Sequence, residues 1–597
     1  MLDARVYRTA FLPALVALFV AAFALADRPA PAPSPLPADA FSGKRAYGNE
    51  VAPEPESLLG MARDFPSRAP GSPGDNGLAD RVARVFAVPD DLGRRSAFEV
   101  QRTTTRAHTP DGTADIVTVT GTRPGLSSRR IVVLAHRDAR GRPGLAELSA
   151  TATLLELARV FKTRELNKTL VLVSTSGAQT GFAGARAWAE ANKGTPVDAV
   201  IVLGDVGGEQ VHKPLVVSWP DGSGGVPLGL ERTVQAAVRA ETKNDPGAPR
   251  AIVQWVRRAF GVTVSEQGPI AAAGLPATLI SQSGERGPDP GEPVVDSYVE
   301  RYGRAVLRAV TAIDAAGPRA GRAFSGAPHG IVTMRNVLPD WAVRLVIATL
   351  LLPALLVALD AFFRARRRRV PVTHAFRRLA VAAVPVVAAW IILRLFGAVG
   401  LLPATDGPVL PDVYPVDASA LEAIAAAAVF AAVAWYVARR ALARPCTPDG
   451  YAIATGLSIC VLAALVWVPN PYAAALLLPA AHLWPWAAGA RRLRTGAAAA
   501  LAGLAVPLVA LASLSIALGL APPDLAWASV LAVAGGHGLW SALVLAAFAA
   551  AFALLVRVLI ARRGDAAARP DEAIKTRGPK SYAGPGSLGG TESALRR

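Results

Sequence analysis

Apolar residues fall into two rhythms along this chain. From 340 to 560 they gather in long blocks, whereas from 27 to 338 short apolar runs alternate with mixed, charged stretches. The long blocks predict seven spans, near 340–362, 378–402, 419–438, 450–468, 472–490, 497–520 and 536–560. Each can cross roughly 30 Å of hydrocarbon at about 1.5 Å per residue. One more apolar run, Ala10 to Ala26, comes after Arg5 and Arg8. It reads as an N-terminal transmembrane anchor or as a signal peptide cut after Ala24-Leu25-Ala26, and either exports the adjoining domain.

In the first half, IVTVTG (116–121), IVVLAH (131–136), TLVLVST (169–175), AVIVLGD (199–205), PLVVSW (214–219) and ATLIS (277–281) are short β-branched runs that predict buried strands. Helical periodicity covers 147–162, 181–192 and 298–315. Strands alternating with amphipathic helices predict an α/β three-layer sandwich with a mostly parallel sheet. Such sheets bind ligands beyond the carboxyl ends of their strands. His136, Ser174 to Ala178 and Asp205 stand at such ends. The expected organisation is an anchor or signal peptide at 1–26, a Pro/Ala linker at 27–39, a folded ectodomain at 40–316 and a linker at 317–339. A seven-helix membrane domain at 340–562 and a disordered cytoplasmic tail at 563–597 complete it.

Charge then fixes the expected orientation. The net charge is +18, but much of the excess lies in short clusters bordering apolar blocks: Arg364 to Arg369, Arg439 to Arg444, Arg491 to Arg494 and Arg557 to Arg563. With 27–338 outside and the spans alternating, every cluster falls inside, as cytoplasmic loops require. The loops 403–418, 469–471 and 521–535 fall outside, and the longest, PATDGPVLPDVYPVDA, carries acids and no Lys or Arg. Trp341, Trp467 and Trp527 then lie near the outer interface. This placement favours the lipid bilayer as partner and argues against nucleic acid. Cys446 and Cys460, the two cysteines, both lie in the membrane half, so the ectodomain has no disulfide and no cysteine ligand. An Ala- and Arg-rich, Lys-poor composition suggests a GC-rich bacterial genome and hence the plasma membrane. Arg394 lies inside the third span, a costly place for a charge; it marks a polar site, pairs with Asp360, or snorkels.

Several segments resemble peptidase family 28, the co-catalytic zinc exopeptidases. They are FSGKRAY (41–47), FPSRAPGSPGDNGLADRVARVF (65–86), AHRD (135–138), LLELAR (154–159), GFAGARAWAE (181–190), VLGDVGG (202–208) and SEQGPIAAAGLPATLIS (265–281). The resemblance implies two zinc ions held by a His in H-x-D, a bridging Asp before an Asn, a Glu, a later Asp and a late His, with a second Glu as general base. His136 matches the first ligand, Asp138 the carboxylate that orients it, and Asp205 a ligand aspartate. The bridging Asp-Asn is replaced by Ala146-Glu147, and the paired glutamates by Ala178-Gln179, so the general-base position is Ala178. The segment 280–292, where the late His belongs, contains none. Two dications a few ångströms apart repel strongly without a bridging carboxylate. The expectation is therefore a pseudoenzyme with no cofactor, binding a peptide or a partner protein. A single zinc on His136, Asp205 and either Glu147 or Glu285 is the alternative for metal. An active aminopeptidase with a rearranged site and a transporter or lipid-handling protein with a regulatory ectodomain are the rival functions.

Overall fold

The computed structural model describes residues 4–575 apart from 36, 90–96, 111, 140, 141, 143, 223, 224, 248, 318–323, 325–329, 334 and 491. The soluble domain is built on seven strands, β1 (Glu99–Thr109), β2 (Gly112–Arg123), β3 (Ser127–His136), β4 (Lys168–Thr175), β5 (Val197–Leu203), β6 (Val216–Val217) and β7 (Ala277–Ile280). Their spatial order is β1-β2-β4-β3-β5-β7-β6.

The central strands β4, β3, β5 and β7 run parallel, as continuous apolar runs predict. Both margins are antiparallel: β1 to β2, β2 to β4, and β6 to β7. The sheet is thus mixed, with a parallel centre; of its antiparallel margins only β1–β2 is a hairpin, whereas β2 and β4, and β6 and β7, are joined through intervening elements. Strand β1 carries no apolar run. It reads QRTTTRAHT, is largely solvated, and owes its extended form to the eleven-residue ladder with β2. At the other edge PLVVSW contributes only Val216–Val217.

Side chains alternate across the central strands with the period of two that extended backbone imposes. Ile131, Val133, Ala135, Ala199, Ile201 and Leu203 enter one core, beneath helices α1 (Pro73–Phe86), α2 (Leu145–Phe161), α4 (Leu228–Thr242) and α7 (Asp296–Ala315). Val132, Leu134, Val200 and Val202 enter the other, beneath α3 (Ala183–Ala191) and α6 (Gln267–Ala272). A sheet buried on both faces gives the three layers. Helix α5 (Ala251–Phe260) stands apart from both layers and lies against the membrane half, where the Trp255 indole donates to the Tyr472 carbonyl (3.2 Å).

Among the described residues, seven helices are long and apolar enough to cross a membrane: Arg5–Phe23, Asp340–Arg367, Val372–Ala398, Ala418–Leu442, Pro448–Trp467, Leu493–Leu518 and Leu539–Arg562. The expected span at 472–490 is a helix, Pro471–Gly489, but it is not among these seven. Pro479, Pro485 and His482 lower its apolarity. It can do without: Trp484, Ala480, Ala481, Ala487 and Ala488 are fully buried among neighbouring helices, so protein rather than lipid surrounds that face.

Four further expectations change. The stretch 27–39 is not a free linker: Ala26–Asp27 pairs with Asn336–Leu338, and Ala32 N–H donates to Thr233 Oγ1 (3.0 Å). The last helix continues to Lys575, past the expected end at 562, while 576–597 lie outside the described residues. Trp527 is not an interfacial aromatic but is buried in the short helix Pro522–Ala534, its indole donating to the Tyr414 carbonyl (2.6 Å). Arg394 does not meet Asp360, which pairs with Arg364; it donates to the Ala534 carbonyl (3.1 Å) at the end of that short helix.

Candidate functional site

Beyond the carboxyl ends of β3, β4 and β5 lies a cavity of ≈ 90 Å³ lined by His136, Asp138, Glu147, Ala178, Gln179, Asp205 and Glu266, among others. The sheet accounts for the convergence. In parallel strands in register, His136 faces Thr175, and Ala135 faces Leu203 on the other side, so the three loops beyond them leave from one level.

His136 ends β3, and its Nδ1 lies 3.1 Å from the Asp138 carbonyl and 3.7 Å from Asp138 Oδ1. Burial alone would pull the imidazole down. The Asp138 carboxylate and the charges of Glu266 and Glu147 outweigh it and raise the pKa to about 9. Burial likewise works against the charged form of Asp138, but the adjacent His136 imidazole and the Ala178 N–H hold it below the usual carboxylate range. Ala178 and Gln179, at the positions where paired glutamates would stand, donate their backbone N–H groups to Asp138 (3.3 and 3.5 Å).

Asp205 lies just past β5, and its carboxylate is fully engaged. Oδ1 accepts from Gly207 N (2.9 Å), Gly208 N (2.7 Å) and Ser149 Oγ (3.3 Å), and Oδ2 accepts from the Ser283 hydroxyl. Burial still pushes it up to about 6. Glu285, the other expected metal donor, is held by Arg257 and by Thr263. Glu147 differs. At the first turn of α2 it is 5% exposed, and neither carboxylate oxygen has a hydrogen-bond partner.

Sequence reasoning missed three residues here. Glu266, before α6, is 3% exposed, accepts from Thr175 Oγ1 (2.9 Å) and leaves Oε2 without a partner. Burial raises it to about 7, against the attraction of His136. It stands in the SEQG segment, where an acid just before an apolar helix was the available signal. Arg68 is buried and donates to the carbonyls of Phe65 (2.6 Å), Gly144 (2.9 Å) and Arg137 (3.2 Å), tying the site's loops together. Burial lowers it to about 10 although Glu147, Asp138 and Asp75 oppose that. Arg137 is fully buried beside Asp75 (2.8 Å).

Zinc sites need three or four ligands pointing at one centre. Among the described residues no group of three His, Cys, Asp or Glu side chains has that arrangement. Asp205 is turned toward hydroxyl and N–H donors, groups that satisfy a carboxylate in place of a cation. The donor set therefore does not fit a zinc pair. What remains is a small acid-rich chamber in which Glu147 and one oxygen of Glu266 have no hydrogen-bond partner beside His136.

Residues 116–253 match the family model of peptidase family M28. Solved structures with a similar fold include the glutaminyl cyclase of an Acidobacteriales bacterium, 18% identical over 49% of this chain and 98% of that one, TM-score 0.34. A leucine aminopeptidase precursor from Bacteroides thetaiotaomicron VPI-5482 is 15% identical over 45% of this chain and 97% of its own, TM-score 0.31. A putative Zn-dependent exopeptidase from Bacteroides vulgatus ATCC 8482 is 17% identical over 47% and 97%, TM-score 0.28. No curated protein matches the chain.

Proposed function

From the premise that the chain carries an M28-like peptidase domain beside several membrane-spanning helices, we propose a multi-pass membrane protein in which that domain has lost catalysis and acts as a binding or assembly module. One observation carries the reading. The family's base position is Ala178, and that residue's backbone N–H is spent on Asp138, so the cleft floor is knitted by internal hydrogen bonds. The engagement of Asp205 with four donors supports it. In this reading the domain has no resident cofactor and lies on the outer side of the plasma membrane. The arginine clusters face the cytoplasm, and the partners are the bilayer and a peptide or protein, with no nucleic acid.

Glu266 favours a second reading, an active hydrolase with a rearranged site. Its unpartnered Oε2 lines the cavity beside His136, within the general region a catalytic base would need. Elemental analysis of the detergent-purified full chain, together with assays on aminoacyl amides, separates the two. The first reading expects substoichiometric zinc and no turnover. Stoichiometric zinc with chelator-sensitive hydrolysis that Glu266→Gln abolishes would establish the second and remove the first.

A further inference from the structure

We infer that the partner of the cleft is part of this same chain: the loop 405–414 between two membrane helices occupies its mouth, making the old site a socket that clamps the soluble domain to the bundle. The inference deepens the binding-module reading and rests on it.

The loop supplies the chamber's apolar roof. Val409, Leu410 and Val413 line the same cavity as His136, Glu147 and Glu266. Leu410 also joins Val256 and Val264 of the soluble domain and Leu514 and Leu518 of a membrane helix in one buried cluster. Around this plug the contacts are polar. Asp406 accepts from the His108 backbone N–H (3.0 Å) and meets its imidazole Nδ1 (2.8 Å). Asp412 accepts from Arg286 (2.6 Å), whose other nitrogen donates to the Gly519 carbonyl (3.0 Å). Tyr414 Oη donates to the His108 carbonyl (3.4 Å). The loop's two acids, Asp406 and Asp412, therefore meet an imidazole and a guanidinium on separate elements of the rim.

Backbone also meets backbone. Gly181 has φ +79°, and a Cβ there would stand 2.3 Å from the Gly407 nitrogen. Only glycine permits both the left-handed conformation and that approach. The chamber left under the loop, ≈ 90 Å³, is well below the roughly 300–1,000 Å³ of small-molecule sites. It has room for a few waters, but a peptide would have to displace the loop. Loop and external ligand then exclude one another, and each weakens the other by the same factor.

The test uses the full chain in detergent with Cys446→Ser and a reporter thiol, Ser265→Cys, on the cavity wall. The reporter's reaction with a maleimide is timed, and tryptophan fluorescence and thermal unfolding verify the fold of every variant. The parent should label slowly. Asp412→Arg, which sets two cations together, should speed labelling at least tenfold, and adding Arg286→Asp should restore protection. Rapid labelling of the parent, or equal rates in all three, would overturn the socket. Zinc-dependent turnover in a chain whose reporter thiol stays protected would instead remove the non-catalytic reading and leave the loop docked.

Discussion

Arg137 stands between the two residues that resemble a metal-binding pair, and it does more for the fold than either. Its guanidinium is fully buried, 2.8 Å from Asp75, and donates to the carbonyls of Asp75, Ser174, Thr175 and Val117. It thereby fastens α1, β2, β3 and β4 at the level of the cleft. Removing one partner of a buried pair strands the other and costs about 3–5 kcal/mol. Arg137→Met should lower the unfolding free energy of the soluble domain by that amount. His136→Ala removes an imidazole whose one hydrogen bond stays within its own loop; it leaves the charges of Asp138, Glu147 and Glu266 without that partner but opens no junction between elements, and should cost less than Arg137→Met. Chemical denaturation followed by tryptophan fluorescence compares them, and equal losses would refute the ranking. His136, Asp138 and Asp205, which sequence pattern singled out, line one cavity, because strand ends in a parallel sheet share a level. That pattern could not find Arg137 or Glu266: an arginine or a glutamate in a loop is ordinarily solvated, and only the closure of helices over the sheet buries these two.

At the scale of elements, apolar patterning located the central strands and the long membrane helices, since both must bury nearly every side chain or face lipid. It failed where an element depends on its neighbours. Strand β1 exists through its ladder with β2, and helix Pro471–Gly489 is sheltered inside the bundle. Helix Pro522–Ala534 lies in what reads as a plain loop, started by Pro522 and Pro523 at its first positions. Arg394 belongs at this scale too. Its side chain caps the carboxyl end of that short helix through the Ala534 carbonyl, where a cation is favoured by the helix dipole. Arg394→Ala should therefore be mildly destabilising, by about 0.3–1 kcal/mol, seen as a fall of a few degrees at most in the melting temperature of the detergent-solubilised chain. A transport role for the bundle would require the same substitution to abolish solute movement in vesicles, with stability unchanged.

Across the whole molecule, the soluble domain and the membrane helices meet through α5, the cleft rim and the loops at one end of the bundle. Asn470 donates to the Arg258 carbonyl (2.8 Å), and Arg258 lies 3.7 Å from Asp340, extending the contact made by loop 405–414. All these loops lack arginine clusters, and on that charge asymmetry we propose that this end lies outside. With Cys446→Ser as background, Pro415→Cys should be labelled by a membrane-impermeant maleimide on intact cells, and Arg368→Cys only after permeabilisation. The reverse pattern would invert the topology. By itself the sequence determined the partition into an α/β domain and long apolar helices, and which histidine and acids stand at the strand ends, because local periodicity and residue chemistry are written position by position. Tertiary structure alone decided that the cleft is closed by the chain's own loop, about 270 residues away from His136. Contacts at such separation depend on how the two halves dock, and no local pattern of hydrophobic and polar residues encodes that geometry.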